Sequence, residues 1–347
     1  MIDTMDITVV IPTRNRAKML SGLLDSLRVQ KPEELSWEVL VIDNGSTDDT
    51  SSMMKTKIAG FPVPLGYIHE PAFGLHNGRN RGAKEAKGKV VSYLDDDMVL
   101  DKNWIQGARL VLNGQAGLVG GRILPVWEGS VPDWVEVFFS NYQGGKVLTY
   151  LGLIDLGGEV KAVDAFHAFG GNCFVRKDVI LELKGYHPDS LPQEFIRYRG
   201  DGEAGFARKF TQSELVSLYD PTALAYHRIN TERLTVDYLC KRSYNQGISD
   251  SFTAIRREHK LYGEPDNTSG ASPGKFGKIL RSVQIFKGNI YRRFIPRLRA
   301  IERVRAQTRK SYEEGFVFHQ REVRGDRKLL EWVLREDYMG ENGRLPV

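Results

Sequence analysis

The stretch Val90-Val91-Ser92-Tyr93-Leu94-Asp95-Asp96-Asp97-Met98-Val99-Leu100 decides how this chain folds. Val90 to Leu94 reads as a buried strand. Three carboxylates at its end cannot follow it into the core, because an unpaired buried charge is too costly. They must open into a crevice at the strand's carboxyl end. Clustered oxygen ligands of this kind hold Mg²⁺ or Mn²⁺, and such ions bridge to phosphate. Alone, the tripeptide also fits a solvated acidic turn ahead of a helix near Trp104, so the neighbouring sequence has to decide.

Outward from that stretch, strands and helices alternate. Ile7 to Ile11 and Glu38 to Ile42 read as buried strands, with a shorter one from Leu65 to His69. Ala17 to Val29 carries Met19, Leu20, Leu23, Leu24 and Leu27 on one helical face, and a second helix is expected from about Asn77 to Ala86. The pattern predicts an α/β fold with a mostly parallel central sheet flanked by helices, whose ligands lie beyond the carboxyl ends of the strands. Polar clusters fall at those ends: Pro12-Thr13-Arg14-Asn15 after the first strand, Asp43-Asn44-Gly45-Ser46-Thr47-Asp48 after the second, and Asp95 to Asp97 later. Three such clusters facing one crevice are hard to attribute to ordinary loop polarity.

The second half is less regular. Val126 to Ser140 is rich in aromatic residues, including Trp127 and Trp134, and suggests a lid or an insertion that meets a second substrate. Phe169 to Val175 resumes a strand, Lys177 to Leu183 a short helix, and Thr235 to Glu258 a long one. Gly263 to Gly274 has the composition of a linker, and a final amphipathic piece contains Leu329, Leu330, Trp332 and Val333. The expected division is 1–125, 126–234 and 235–347.

Composition excludes several classes. At 347 residues and 41% hydrophobic, the chain supports a sizeable core. No run reaches the roughly 18 apolar residues of a membrane span. The start, Met1 to Asp6, is acidic where a secretory signal is basic, so a cytoplasmic protein is expected. Cys173 and Cys240 sit in apolar periodic segments and read as core residues, which argues against a disulfide framework or a zinc cluster. Twelve lysines and arginines against the single acid Glu302 fall between Lys275 and Lys310, so the net charge of +5 belongs to this segment. Its interleaved apolar residues read as a basic amphipathic helix suited to anionic lipid, while nucleic acid is disfavoured because no reading module accompanies the charge. Exposed apolar residues of the C-terminal helices would also serve a homodimer.

A nucleoside diphosphate needs its base and ribose recognised and its phosphates neutralised. Asp43 is placed to accept a hydrogen bond from a base N–H, and Thr13, Asn15 and Ser46 offer polar contacts to base or ribose. Arg79, at the opening of a helix, joins backbone N–H groups in favouring an anion. Trp127 and Trp134 offer faces for stacking on a sugar acceptor, or packing for a lid.

Five stretches together resemble the family 2 inverting glycosyltransferases of the GT-A fold: Val9 to Arg16, Val41 to Asp48, Gly74 through Gly82, Tyr93 to Asp97, and Gly170 to Arg176. They run in the family's order over roughly the first 230 residues. The resemblance implies transfer of a sugar from a nucleotide-sugar donor, by default a UDP-sugar, to a saccharide or lipid-linked acceptor in cell-surface glycan synthesis. It implies donor contacts from Pro12, Thr13, Arg14, Asn15, Asp43, Asn44, Ser46, Arg79, Asp95 and Asp96. Asp97, the last position of the family's Asp-x-Asp motif, looks like the main ligand of Mn²⁺ or Mg²⁺, with His227 a further ligand. Gly171 and Asn172 fall on the acceptor side.

Inversion also implies a carboxylate that deprotonates the acceptor hydroxyl. In the family it comes from an adjacent acidic pair opening a helix, whereas here Gly202 separates Asp201 from Glu203. Asp201 aligns best if Arg208 anchors the helix and is the first choice; Glu203, in the first turn, is the other. Two further readings stay open, a sugar nucleotidyltransferase and a non-catalytic protein that kept the fold. The first lacks its glycine-rich loop after the first strand, and the acidic groups in both halves argue against the second.

Overall fold

A computed structural model describes residues 5–263 and 296–346. The first half runs β1 (Ile7–Thr13), α1 (Ala17–Arg28), β2 (Trp37–Asp43), α2 (Thr50–Ile58), β3 (Leu65–His69), α3 (Leu75–Glu85), β4 (Val90–Leu94) and β5 (Met98–Leu100). Next come α4 (Arg109–Leu112), β6 (Leu118–Trp127), β7 (Ser140–Tyr142), β8 (Gly145–Leu148), β9 (Leu153–Asp155), β10 (Lys161–Ala162) and β11 (Asn172–Arg176). The remainder is α5 (Lys177–Glu182), α6 (Gly202–Thr211), β12 (Ser217–Ile229), α7 (Val236–Glu258), α8 (Pro296–Gly325) and α9 (Arg327–Val333).

One sheet runs in the order β3-β2-β1-β4-β11-β6-β9-β8-β7, and β12 lies beside β6 and also carries β5 and β10. β1, β2 and β4 are buried along their whole length, as continuous apolar runs covered on both faces require. The parallel order expected from sequence holds for β3-β2-β1-β4. Beyond β4 the sheet becomes mixed, because β11 enters antiparallel to both β4 and β6. Leu20, Leu23, Leu24 and Leu27 form the buried face of α1.

Register gathers the polar clusters. Thr13 pairs with Asp43, Asn172 with Leu94, and His227 with Met98. The start of β11 therefore meets the end of β4, and the far part of β12 runs past Asp95 to Asp97. The ends of β1, β2 and β4, the start of β11 and the far part of β12 thus meet at one edge.

The C-terminal helices form a second core. Phe252 and Ile255 of α7 pack with Val323, Leu329, Trp332, Val333 and Tyr338. Trp332 donates its indole N–H to Tyr198 O at 2.8 Å, while Asn80 of α3 donates to Tyr338 O at 3.3 Å and Asn77 to Gly343 O at 3.2 Å. This part of the chain thus braces the helix that carries Arg79. Cys173 is a buried core residue of β11, as expected. The linker beyond Gly263, and the basic segment as far as residue 295, lie outside the described residues; the rest of that segment is the start of α8. No helix among the described residues is long and apolar enough to cross a membrane.

α7 and α8 touch through backbone. A methyl group on Gly315 would stand 2.1 Å from Tyr244 O, and one on Gly247 would stand 2.1 Å from Tyr312 O. Gly315→Ala must therefore push the helices apart, at a cost of about 1–3 kcal/mol. A lower urea midpoint checks this; an unchanged midpoint would contradict the close crossing.

Candidate active site

At the end of β1 the buried Thr13 hydroxyl donates to Asp96 Oδ2 at 2.7 Å, and Arg16 Nη1 reaches Asp96 Oδ1 at 2.8 Å and Asp97 Oδ2 at 3.1 Å. Burial raises the Asp96 carboxyl to about 6, against the opposing pull of Arg16. Asp96 and Thr13 are thus bonded to each other and stitch β1 to the end of β4, so the carboxylate and hydroxyl expected to meet a donor are engaged within the protein. Pro12 is likewise buried. Asn44 donates to Glu70 O at 3.2 Å and to Ala72 O and accepts from Gly74 N at 2.9 Å, so it staples a loop. Asp43, expected to meet a base, is buried and accepts from Ser46 N at 2.8 Å and from the Tyr67 hydroxyl. The open rim consists of Arg14, stacked over the Phe73 ring at 4.6 Å, Asn15, and the half-buried Ser46, whose hydroxyl accepts from Asn15 N at 2.9 Å.

Deeper in, α3 delivers Arg79, whose side chain is only 2% exposed. Nη1 donates to Glu203 Oε1 at 2.7 Å and Nη2 to Asp95 Oδ1 at 3.2 Å. Arg79 is thus too buried to be the phosphate contact expected; it ties together two carboxylates that are themselves 38% and 39% exposed at the crevice. Glu203 Oε2 also accepts from Gly170 N at 3.0 Å. Gly171 leaves no room for a side chain, since a Cβ there would lie 2.7 Å from Asp95 Oδ2. Its role is to let Asp95 lie over the backbone.

The structure places the two candidate bases in opposite surroundings. Gly202 adopts φ 51°, a left-handed conformation that favours glycine, and the turn it makes separates its two acidic neighbours. Glu203 enters the crevice. Asp201 goes inward, with a side chain 1% exposed, bonded to His187 Nδ1 at 2.7 Å, Tyr262 Oη at 2.9 Å and Thr253 Oγ1 at 3.1 Å. A carboxylate so enclosed has no path to an acceptor hydroxyl.

That inward network predicts acid lability. Burial lowers His187, His76 and His319 from 6.5 to about 4, so the folded chain refuses protons that the unfolded chain accepts. Stability contributed by these neutral histidines is present above 6.5 and is lost as pH falls towards 4. Burial would raise Asp201, but His187, Arg208 and Arg256 outweigh it and hold the carboxyl at about 2; its contribution is lost lower, between 3.8 and 2. Asp96, raised to about 6, works the other way between 6 and 3.8, but three histidines outweigh one carboxyl, so unfolding free energies from urea titrations at pH 7, 5.5 and 4 should fall monotonically, by on the order of 2 kcal/mol or more in sum. A flat series would contradict the neutral histidines.

Asp97 and His227 meet on the other side of the crevice. His227 Nδ1 lies 2.8 Å from Leu151 O, which only accepts, so this nitrogen carries the proton and Nε2 presents a lone pair. Nε2 stands 3.3 Å from Asp97 Oδ1, a buried oxygen that accepts no hydrogen bond from the described residues. Burial would raise the Asp97 carboxyl, but His227 in its protonated form, Arg233 and Arg16 outweigh it and hold it below the usual carboxylate range. A carboxylate oxygen and an imidazole lone pair facing each other fit a divalent cation. No group of three or more acidic, histidine or cysteine ligands gathers among the described residues. The fit is therefore to an ion that draws its other ligands from phosphate and water.

Two arginines that sequence reading did not single out complete the site: Arg16, already described, and Arg233, 2.6 Å from both Asp97 Oδ2 and His227 Nε2. Arg16 closes a quoted motif, whereas Arg233 belongs to none. On the acceptor side, Asn172 is fully buried, accepting from Trp104 Nε1 at 2.7 Å and donating to Ala223 O at 2.8 Å. It pins strands together rather than meeting an acceptor. Trp127 and Trp134 are half-buried and pack against the main core, with Trp134 edge-on to Phe138.

Residues 8–183 match the model of the family described as Glycosyl transferase family 2. Glycosyltransferase AglE of Haloferax volcanii is 27% identical over 118 residues, covering 34% of this chain and 39% of AglE. The uncharacterized glycosyltransferase YfnE of Bacillus subtilis is 37% identical over 101 residues, covering 29% of this chain and 25% of YfnE. The chain thus spans well under half the length of these relatives. Among solved structures, the mannosyltransferase PcManGT of Pyrobaculum calidifontis, in complex with GDP-Man and Mn²⁺, superposes with a TM-score of 0.52 at 16% identity, over 95% of this chain and 83% of that one. The likeness is one of fold.

Proposed function

The chain belongs to glycosyl transferase family 2 and has its GT-A fold; from that premise we propose that it moves a sugar from a nucleotide-diphosphate donor, by default a UDP-sugar, to a hydroxyl of a saccharide or lipid-linked acceptor. The transfer inverts the anomeric carbon and builds a cell-surface glycan. The observation that carries this reading is that Glu203 and Asp95 share the Arg79 guanidinium at the sheet edge where Asp97 faces His227.

In this mechanism Glu203 takes the proton of the acceptor hydroxyl as the oxygen bonds to the anomeric carbon, and the bond from that carbon to the diphosphate breaks on the opposite face. Arg79 fixes the Glu203 carboxylate, and Gly170 N–H orients its second oxygen. Arg14, Asn15 and Ser46 contact the nucleoside, and Asp95 the ribose. A divalent ion, Mn²⁺ or Mg²⁺, supplies charge neutralisation on the departing diphosphate when bound, and Asp97 with His227 would hold it.

The reading assigns 1–125 to the donor, 126–234 to the acceptor and 235–347 to a helical extension. Its basic segment, 275–310, would meet anionic lipid at the inner face of the membrane, where a cytoplasmic enzyme finds a lipid-linked acceptor. Incubation with a panel of nucleotide sugars and Mn²⁺ tests the activity: slow release of nucleoside diphosphate from at least one donor is expected. No release from any donor, with no nucleoside diphosphate binding, would reject it.

A further inference from the structure

The position of Arg233 points to a metal seat that the protein fills with its own cation. One face of the guanidinium satisfies both groups assigned to the divalent ion: Nη2 lies 2.6 Å from Asp97 Oδ2 and Nη1 lies 2.6 Å from His227 Nε2. The nitrogen contact uses the lone pair that a metal would need, because the His227 proton is committed to Leu151 O. The seat is largely buried: the side chains of Asp97, His227 and Arg233 are 5%, 7% and 17% exposed. Arg16 also reaches Asp97 Oδ2, but of the two arginines only Arg233 also occupies the His227 lone pair, so a divalent ion held by both groups would meet the Arg233 guanidinium at contact range and be repelled.

We infer that Arg233 is an exchangeable stand-in for the divalent ion: metal enters only as the guanidinium leaves, and the guanidinium then turns to the diphosphate. This rests on the reading of Asp97 and His227 as the metal seat. The surroundings suit an exchange of side chain alone. Arg233 lies in a single 3-10 turn, Thr231–Leu234, capped by Asn230 Oδ1 accepting from Arg233 N at 3.1 Å, and the buried Leu234 anchors the turn. The backbone is held while a long unbranched side chain swings. Arg16 stays on Asp97 Oδ2 at 3.1 Å, so the carboxylate keeps a cationic partner during the exchange. A guanidinium displaced beside a bound diphosphate finds an acceptor matched to its planar fork. Metal and nucleotide must then bind cooperatively, since nucleotide offers Arg233 the partner that metal takes away.

The test titrates Mn²⁺ alone into the full chain, reading unbound Mn²⁺ by its electron paramagnetic resonance, for wild type, R233Q and D97N, and repeats it with UDP or GDP. R233Q should bind Mn²⁺ about tenfold tighter than wild type, the scale of losing charge-assisted hydrogen bonds. The further tightening that nucleotide brings should shrink in R233Q. Mn²⁺ affinity in R233Q equal to or weaker than wild type overturns the exchange. If thermal melts show that R233Q is not folded, R233K takes its place, since a lysine cannot bridge both groups and should also bind Mn²⁺ more tightly than wild type. D97N keeping wild-type Mn²⁺ affinity is a separate result, which rejects the seat itself.

Discussion

Replacing Glu203 by Gln is expected to lower sugar transfer about 10²–10⁴-fold, the usual worth of a positioned general base, while nucleotide binding persists. The substitution preserves size and one acceptor oxygen, so the bond to either Arg79 or Gly170 N–H survives. It removes the capacity to take a proton. Asp201→Asn provides the contrast, because that residue is enclosed by His187, Tyr262 and Thr253; its loss should appear in the unfolding midpoint more than in the chemical step. Initial rates under saturating donor decide between them. Full transfer by E203Q would remove Glu203 from the mechanism.

Arg79→Met is expected to fail in two ways at once. It leaves Glu203 and Asp95 facing each other without the guanidinium between them. Breaking a buried ion pair by removing one partner costs about 3–5 kcal/mol. Because both carboxylates are more than a third exposed, the cost here should sit at the lower end, about 3 kcal/mol, once solvent screening is allowed for. Transfer should fall as well, since the base loses the group that aims it. R79K separates the two effects: it restores charge but cannot fork to two carboxylates, so stability should recover more than activity. Equal recovery of both would show that Arg79 acts through charge alone.

The sheet and its functional edge were legible because continuous apolar runs ending in polar clusters leave few alternatives. Val90 to Leu94 had to be a buried strand, but of the three carboxylates expected to open into the crevice only Asp95 does; Asp96 and Asp97 stay buried because Arg16 and Arg233 pair with them, which the local pattern does not reveal. The register that brings His227 beside that end was not legible, since it depends on β12 pairing with β5 far away in the chain. Nor did residue type separate crevice contacts from staples. Asn44 and Asn172 look like ligand contacts in sequence, yet their amides are consumed by Ala72 and Gly74, and by Trp104 and Ala223. The choice between Asp201 and Glu203 turned on the left-handed φ of Gly202, and spacing alone carries no sign of that. Arg233 escaped notice for a related reason: it lies in a short turn with no periodicity, and its importance comes entirely from the two groups it reaches.

Asp97 and His227, at the carboxyl end of the sheet, would hold the divalent ion on which we propose diphosphate binding depends. Calorimetric titration of UDP and GDP into wild type and D97N, with Mn²⁺ and then with chelator, tests it most directly. Wild type should bind at least one nucleotide with Mn²⁺, and that binding should be lost both in chelator and in D97N. Equal affinity under all of these conditions would contradict it.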